Sequence, residues 1–483
     1  MRPTLFPTAL FLHKPLCIAM LACCAAGCAI GPDYQRPDTT TPAAYKEAQG
    51  WVVAAPADAL ARGPWWQLFK DPQLDQLAAA VEVSNQNVAA AAAAYAQARA
   101  LVAQQRGAMF PTVSLTGNAG RNGGSGALRT GDSYSLGIGA SWEPDVWGRL
   151  GRNVDNANAS AQASAADLAS ARLSAQGELA VNYLSLRQTD AQRALLQETV
   201  AAYQRVVQIT RNRYSAGIAA KTDVLQAETQ LANAQSDDLG LARQRTVYEH
   251  AIAVLIGKSP SEFTLPAAIW QPTVPEVPVG VPSTLLQRRP DIAAAERRMA
   301  AANEQIGIAK SGYFPSLGLN ASYGSSASRV ADLFSVSNLV WSLGLSAVQT
   351  LFNAGVTGAK VEGAQAGYDQ TVARYRQTVL TAFQNVEDEL TAARVLEQQL
   401  ALRRQASQAA DEAEQKMLNR YKAGQVSYTE VATVQASALS ARRALVQAQA
   451  DRQTTAVALI QSLGGSWDAG RVENKNRADV KNE

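Results

Sequence analysis

Residues 311–324 read SGYFPSLGLNASYG, and within them the periodicity of the chain changes. The run before them, RRPDIAAAERRMAAANEQIGIAK (288–310), is rich in alanine and reads as helix. At Phe314-Pro315 that pattern stops. Leu317, Leu319, Ala321 and Tyr323 then alternate with Ser316, Gly318, Asn320 and Ser322, the period of two of a strand. Residues 109–120, MFPTVSLTGNAG, make nearly the same switch at Phe110-Pro111. Proline lacks an N–H and disfavours helix in the residue before it, so Phe-Pro fixes the level at which helix gives way to strand. The aromatic beside it suits a membrane interface.

The rest of the chain repeats at a nearly constant spacing. Phe110-Pro111 returns as Phe314-Pro315, RYSAG (213–217) returns as RYKAG (420–424), and Ile256-Gly257 returns as Leu463-Gly464. Prolines are absent from 145–259 and after Pro315, whereas seven crowd into 260–290. Residues 152–214 therefore read as one helix of about 95 Å, and 356–421 as one of about 100 Å. Leu196, Val200, Tyr203 and Val207 follow the 4-3-4 spacing of a coiled-coil seam. The fold class expected is mainly α with a transmembrane β-barrel, from a duplicated helix–strand–strand–long helix–helix unit. The first repeat is placed at 73–259 and the second at 291–465, with 260–290 as a Pro-rich connector and 466–483 as a tail.

Composition agrees. Of 483 residues 47% are hydrophobic but only 6% aromatic; alanine makes helix yet fills a wide core poorly, which favours long, closely packed helices. The net charge of +3 falls to +1 without Arg2 and Lys14, so no basic field points to nucleic acid. Residues 1–27 read as a signal peptide whose AAG precedes Cys28, as in a bacterial lipoprotein with an acylated first cysteine; the alternative is an ordinary secretory peptide with incidental cysteines. Residues 28–72 then form an anchor and equatorial segment.

The strands are about ten residues long, the length of a tilted strand crossing a bilayer. Val113, Leu115, Gly117 and Ala119 share one face, as do Tyr134, Leu136, Ile138, Ala140 and Trp142 in the next strand and Leu339, Trp341, Leu343, Leu345 and Ala347 in the last. The opposite faces are small and polar, as a watery lumen requires. A water-soluble hairpin is the competing reading, but these strands have no second sheet to cover them. Four strands cannot close a barrel, and open edges are not tolerated in lipid. Two copies would supply eight strands and three would supply twelve.

No catalytic chemistry is legible. Beyond the signal segment His250 is the only histidine and Cys28 the only cysteine, which leaves no His/Cys metal site, no Ser-His-Asp triad and no cofactor site. GKS at 257–259 lacks the first glycine of a P-loop and ends a helix, and GIAAKT at 217–222 fails likewise.

Taken in order, GCAIGPDYQRP (27–37), WWQLFKDPQLDQL (65–77), FPTVSL, SWEPDVWGRL (141–150), QRRPDIAAAERRMAAANEQIGIAKSGYFPSL (287–317) and LFNAG (351–355) resemble the outer-membrane factor family of tripartite exporters. The likeness is to TolC in architecture and to the OprM/NodT-type lipoproteins in detail. The resemblance implies a homotrimer, with a 12-strand β-barrel on a 12-helix α-barrel and an equatorial belt from the termini and connector. It further implies anchorage by lipid at Cys28 in the bacterial outer membrane, a periplasmic adaptor (membrane fusion protein) and an inner-membrane pump of the RND type. The function implied is passive conduction of small molecules such as drugs. A protein-secretion duct and a non-conducting coiled-coil lipoprotein are the alternatives.

By the same resemblance the RY.AG turns form the periplasmic tip that docks the adaptor, through Arg213, Tyr214, Gly217, Arg420, Tyr421 and Gly424. The plainer reading is that they stop helices. Glu430 matches an acidic position that rings the closed aperture in TolC-like channels. Thr433 replaces the other expected acid, and Thr429 stands where OprM-like channels place an apolar gate residue. Ser427-x-x-Glu430 also fits a capping box, and the matching Asp223 also suits a helix start.

Overall fold

The computed structural model describes residues 30–37, 42, 44–47, 64–123, 131–275, 277 and 289–465. The signal segment, Cys28 and the tail 466–483 lie outside them. A 3-10 turn at Trp65–Phe69 leads into α1 (Pro72–Ser84) and α2 (Gln86–Gly107). The hairpin β1 (Thr112–Asn122) and β2 (Gly131–Trp142) follows, then α3 (Arg149–Ser215) and α4 (Lys221–Leu255). The second half runs α5 (Pro290–Ser311), β3 (Ser316–Ala327), β4 (Leu339–Val348), α6 (Val356–Lys422) and α7 (Tyr428–Ser462).

The duplication is near-perfect in length. Helices α2 and α5 each hold 22 residues, α3 and α6 each 67, and α4 and α7 each 35. The first pair is offset by the interval between the two Phe-Pro switches, and the other two by the interval between the RY.AG turns. Local chemistry explains the starts. Asp71 accepts from the N–H groups of Gln73 (2.9 Å) and Leu74 (3.2 Å) with Pro72 at the first helical position. Asp145 accepts from the N–H groups of Leu150 (2.8 Å) and Gly151 (2.7 Å), placing a carboxylate at the start of α3. GKS closes α4: Gly257 has φ +71° and Lys258 N–H donates to Ala253 O at 2.9 Å, a helix end rather than a phosphate loop.

Contacts divide the chain into two compact units. One holds residues 30–37, 94–164 and 294–376. Its sheet has the order β1-β2-β3-β4, antiparallel throughout. The register aligns the faces read from the sequence. Val113, Ala140, Ala321 and Leu343 form one cross-strand row, and Leu115, Ile138, Tyr323 and Trp341 the next. Ser114, Gly139, Ser322 and Ser342 form a row on the other face, where the hydroxyls of Ser322 and Ser342 lie 2.8 Å apart. The apolar face is exposed, and β1 and β4 are open edges. In the same unit Arg152 pairs with Glu304 at 2.6 Å, both nearly buried, and also donates to Pro32 O, so the GPDY stretch is held against α3 and α5. Gly31 makes this possible: a Cβ there would meet Gly307 Cα at 2.6 Å, at a φ of +126°.

The other unit holds the described parts of 39–93, 165–293 and 377–483. Leu196, Tyr203 and Val207 of the expected seam are buried and Val200 is half-buried. Trp65, Trp66 and Phe69 pack edge to face in its core. Asp190 accepts from Arg187 (3.2 Å) and Arg245 (2.7 Å), and Arg187 donates to the connector carbonyl of Pro266 at 2.8 Å. The charges are buried but mutually satisfied, which pins the connector to α3 and α4.

Candidate functional site

Below the sheet the Phe-Pro switch is locked by side chains from SWEPDVWGRL. Trp147 stacks on Phe314 with ring centroids 5.0 Å apart, and its indole N–H donates to Pro315 O at 2.7 Å. Trp142 N–H donates to Met109 O at 2.9 Å, just ahead of Phe110-Pro111. With the helix ended, these two carbonyls have no helical partners, and the indoles satisfy them. Phe110 and Phe314 both remain substantially exposed. No helix among the described residues is long and apolar enough to cross a membrane; the exposed apolar face of the sheet is a contiguous patch of the kind that meets lipid.

The second group of candidates lies at the two helix turns. Gly217 (φ +72°) and Gly424 (φ +76°) occupy the left-handed region that closes a helix. Each turn is tied by equivalent bonds: Gly217 N–H to Tyr214 O and Gly424 N–H to Tyr421 O, both 2.9 Å. The tyrosines then part ways. Tyr421 is 2% exposed, edge to face with Tyr428 at 5.8 Å, its hydroxyl 3.1 Å from that of Thr210. The Arg213 guanidinium lies over its ring at 4.7 Å and donates to its carbonyl at 2.7 Å. Val206, Val207, Ala227, Val431 and Ala432 complete this core. Burial pushes the Tyr428 phenol above its ordinary value. Tyr214 is 46% exposed and carries only Lys221 over its ring, at 5.6 Å. Tyr421 is thus withdrawn from the surface of its turn and Arg213 is half-buried, whereas Tyr214, Gly217, Arg420 and Gly424 are exposed.

The gate candidates lie in the first turns of α7 and α4. Thr429 and Glu430 open α7; Thr429 donates to Gln226 at 3.2 Å, and Thr433 Oγ1 donates to Thr429 O at 3.0 Å. Ser427 is the N-cap, but its hydroxyl donates to Glu430 at 3.4 Å and accepts no backbone N–H. The reciprocal capping box is therefore not formed. Asp223 takes the equivalent place in α4, behind an alanine cap. Glu430 is exposed and Asp223 half-buried. A groove of about 740 Å³ beside Thr433 is lined by Gln226, Gln230, Arg403, Ser437 and Ser440. Among the described residues no cluster of His, Cys, Asp or Glu is arranged to hold a metal ion.

An exposed apolar sheet in a chain of long helical hairpins is the surface of a membrane-embedded protein. The family model described as "Outer membrane efflux protein" matches residues 77–258 and 281–465, one segment per repeat. The chain is 32% identical over 475 residues to the probable efflux pump outer membrane protein TtgC of Pseudomonas putida, covering 96% of this chain and 98% of that one. It is 28% identical over 458 residues to the cation efflux system protein CusC of Escherichia coli O6:H1, covering 94% and 98%. The outer-membrane channel OprN superposes with a TM-score of 0.82 at 30% identity, covering 91% of this chain and 99% of that one. The open state of the Neisseria gonorrhoeae MtrE outer membrane channel superposes with a TM-score of 0.83 at 27% identity, covering 92% and 99%. The chain belongs to the outer membrane efflux protein family, as an outer-membrane channel component of an efflux system.

Proposed function

We propose that the protein is the passive exit duct of a tripartite efflux pump, a homotrimer anchored by lipid on Cys28. The single observation that carries this reading is the four-strand register, which sets every aromatic and most aliphatic side chains on one exposed face and most hydroxyls and glycines on the other. A sheet with two open edges is not stable in lipid, and three copies pool twelve strands, enough for a conducting lumen where eight would be nearly filled. A periplasmic adaptor docks at the tip through Tyr214 and Arg420, and an inner-membrane pump of the RND type supplies the energy. The transported compounds are small molecules of the drug class, by analogy with relatives whose names specify efflux.

Mass measurement in detergent tests the assembly: a particle of three chains is expected, and a stable monomer or dimer contradicts it. Metabolic labelling with a radioactive fatty acid is expected to mark the wild type and not Cys28→Ser; label retained in the variant removes the anchor from the reading.

A further inference from the structure

A polar pocket lies where α3, α4 and α7 meet, between helices whose coiled-coil packing would ordinarily bring apolar side chains together. Its volume is about 410 Å³, the size of a small-ligand site rather than of a packing defect. We infer that it binds a neutral saccharide, held by side-chain amides of α3 and α4 and by the carboxylate of Asp451. All three helices contribute from one unit of one chain, so the site goes beyond the duct proposed above and is complete without a second copy.

The wall on α3 carries Ser185, Gln188 and Gln192, and the wall on α4 carries Gln244 and Tyr248. Gln192 is 9% exposed, one helical turn before the fully buried Leu196, yet its amide has no hydrogen-bond partner among the described residues. The amide of Gln244 and the hydroxyl of Tyr248 are likewise unpartnered there. A buried amide with nothing to bond costs stability that a leucine at the same place would not. From α7, Gln447 accepts from Gln188 Nε2 at 2.5 Å and donates to Asp451 Oδ1 at 2.8 Å, which leaves the second Asp451 oxygen open. The duplication does not explain this polarity: the α6 equivalents of Ser185 and Gln188 are Ala392 and Val395.

The lining selects the class of ligand. Among the described residues no Lys, Arg or His borders the pocket, so an anion would enter it without a counter-charge. A cation would satisfy the oxygens but leave the amide NH₂ groups of Gln192 and Gln244 without acceptors. Hydroxyl groups are donor and acceptor at once and match both ends of each amide. Asp451 adds a charged acceptor for further hydroxyls, and Tyr248 and Leu241 offer apolar contact to the C–H face of a sugar ring.

Saturation-transfer NMR on the full-length protein, purified in a detergent without a sugar headgroup, tests the site with cellobiose as the probe. Transfer to the sugar protons is expected, and Gln192→Leu and Gln244→Ala should each weaken binding roughly fivefold, the loss of about one hydrogen bond. Gln244 is half-exposed, so its variant keeps the test open where Gln192→Leu fails to fold. Cellotetraose separates two sources of the same chemistry. Binding of both sugars supports the site and marks the end of a glycan chain as its ligand, whereas binding of cellobiose alone supports it and marks a free sugar. Transfer to neither sugar, or transfer unchanged in every folded variant, means that water fills the pocket and overturns the inference. Transfer to choline in place of the sugars, abolished by Asp451→Asn, overturns it in favour of an organic cation.

Discussion

The two helix turns carry nearly the same sequence, RYSAG and RYKAG, and share backbone conformation to within a few degrees of φ at their glycines. Their surroundings differ. In the second turn Tyr421 is sealed beneath Tyr428 and Arg213; in the first, Lys221 occupies the place equivalent to Tyr428 and Tyr214 stays half in solvent. Arg213, from the first repeat, grips the tyrosine of the second, whereas Arg420 is exposed. A duplicated element thus keeps its backbone and divides its side chains: one copy fastens the two hairpins of its own chain, and the other faces outward.

The largest expected effect comes from removing the two tyrosine rings in turn. Tyr421→Ala removes a fully packed aromatic and should cost about 3–5 kcal/mol, read as a marked fall in melting temperature. Tyr214→Ala should cost about 0.5 kcal/mol or less, the range of an exposed substitution. Equal losses would erase the distinction between the turns, and an equally large loss at Tyr214 would mean that another chain covers it.

A second comparison sets Glu430 against Asp223, equivalent positions at the starts of α7 and α4. We propose that threefold symmetry gathers the exposed Glu430 carboxylates at the periplasmic aperture, where they favour cations. Glu430→Ala should then weaken cation selectivity and divalent-ion block in bilayer recordings, and Asp223→Ala should do less. Unchanged selectivity in stable Glu430→Ala trimers leaves Glu430 only its place in the first turn of α7.

The smallest effect is a pH dependence centred on Glu389 in the second repeat. Burial, reinforced by Asp388, raises the Glu389 carboxyl above the ordinary glutamate value; its first-repeat counterpart is the uncharged Asn182. A raised carboxyl binds its proton more tightly in the fold than in the unfolded chain. The cost of ionising it is absent below the unfolded pKa and complete above the folded one. Glu389→Gln should therefore raise the melting temperature slightly at neutral pH and give no gain once the carboxyl is protonated; a gain independent of pH would assign the effect to packing instead.

Much of this was legible in the sequence because it is written in local periods. The Phe-Pro switches, the alternating faces and the constant spacing of the repeated motifs reappear as strands, rows and matched helices. What was not legible depends on partners distant in sequence. Tyr428 in place of Lys221 is the local sign that separates Tyr421 from Tyr214, but the rest of its burial comes from Arg213 and Thr210, which lie in the other repeat. The capping box at Ser427 had the right spacing, yet the hydroxyl turned to the carboxylate instead of the backbone. Trp147 lies within SWEPDVWGRL, but its bond to Pro315 joins the two repeats and no period announces it.

The central claim is that these strands, pooled among copies, enclose a water-filled path through the outer membrane. Single-channel recording of the purified protein in planar bilayers tests it most directly. The account predicts discrete, uniform conductance steps from a particle of three chains, lost when Leu343→Asp and Leu345→Asp place charges on the lipid face. A folded three-chain particle that binds the bilayer and passes no current would contradict it and leave a coiled-coil lipoprotein that conducts nothing.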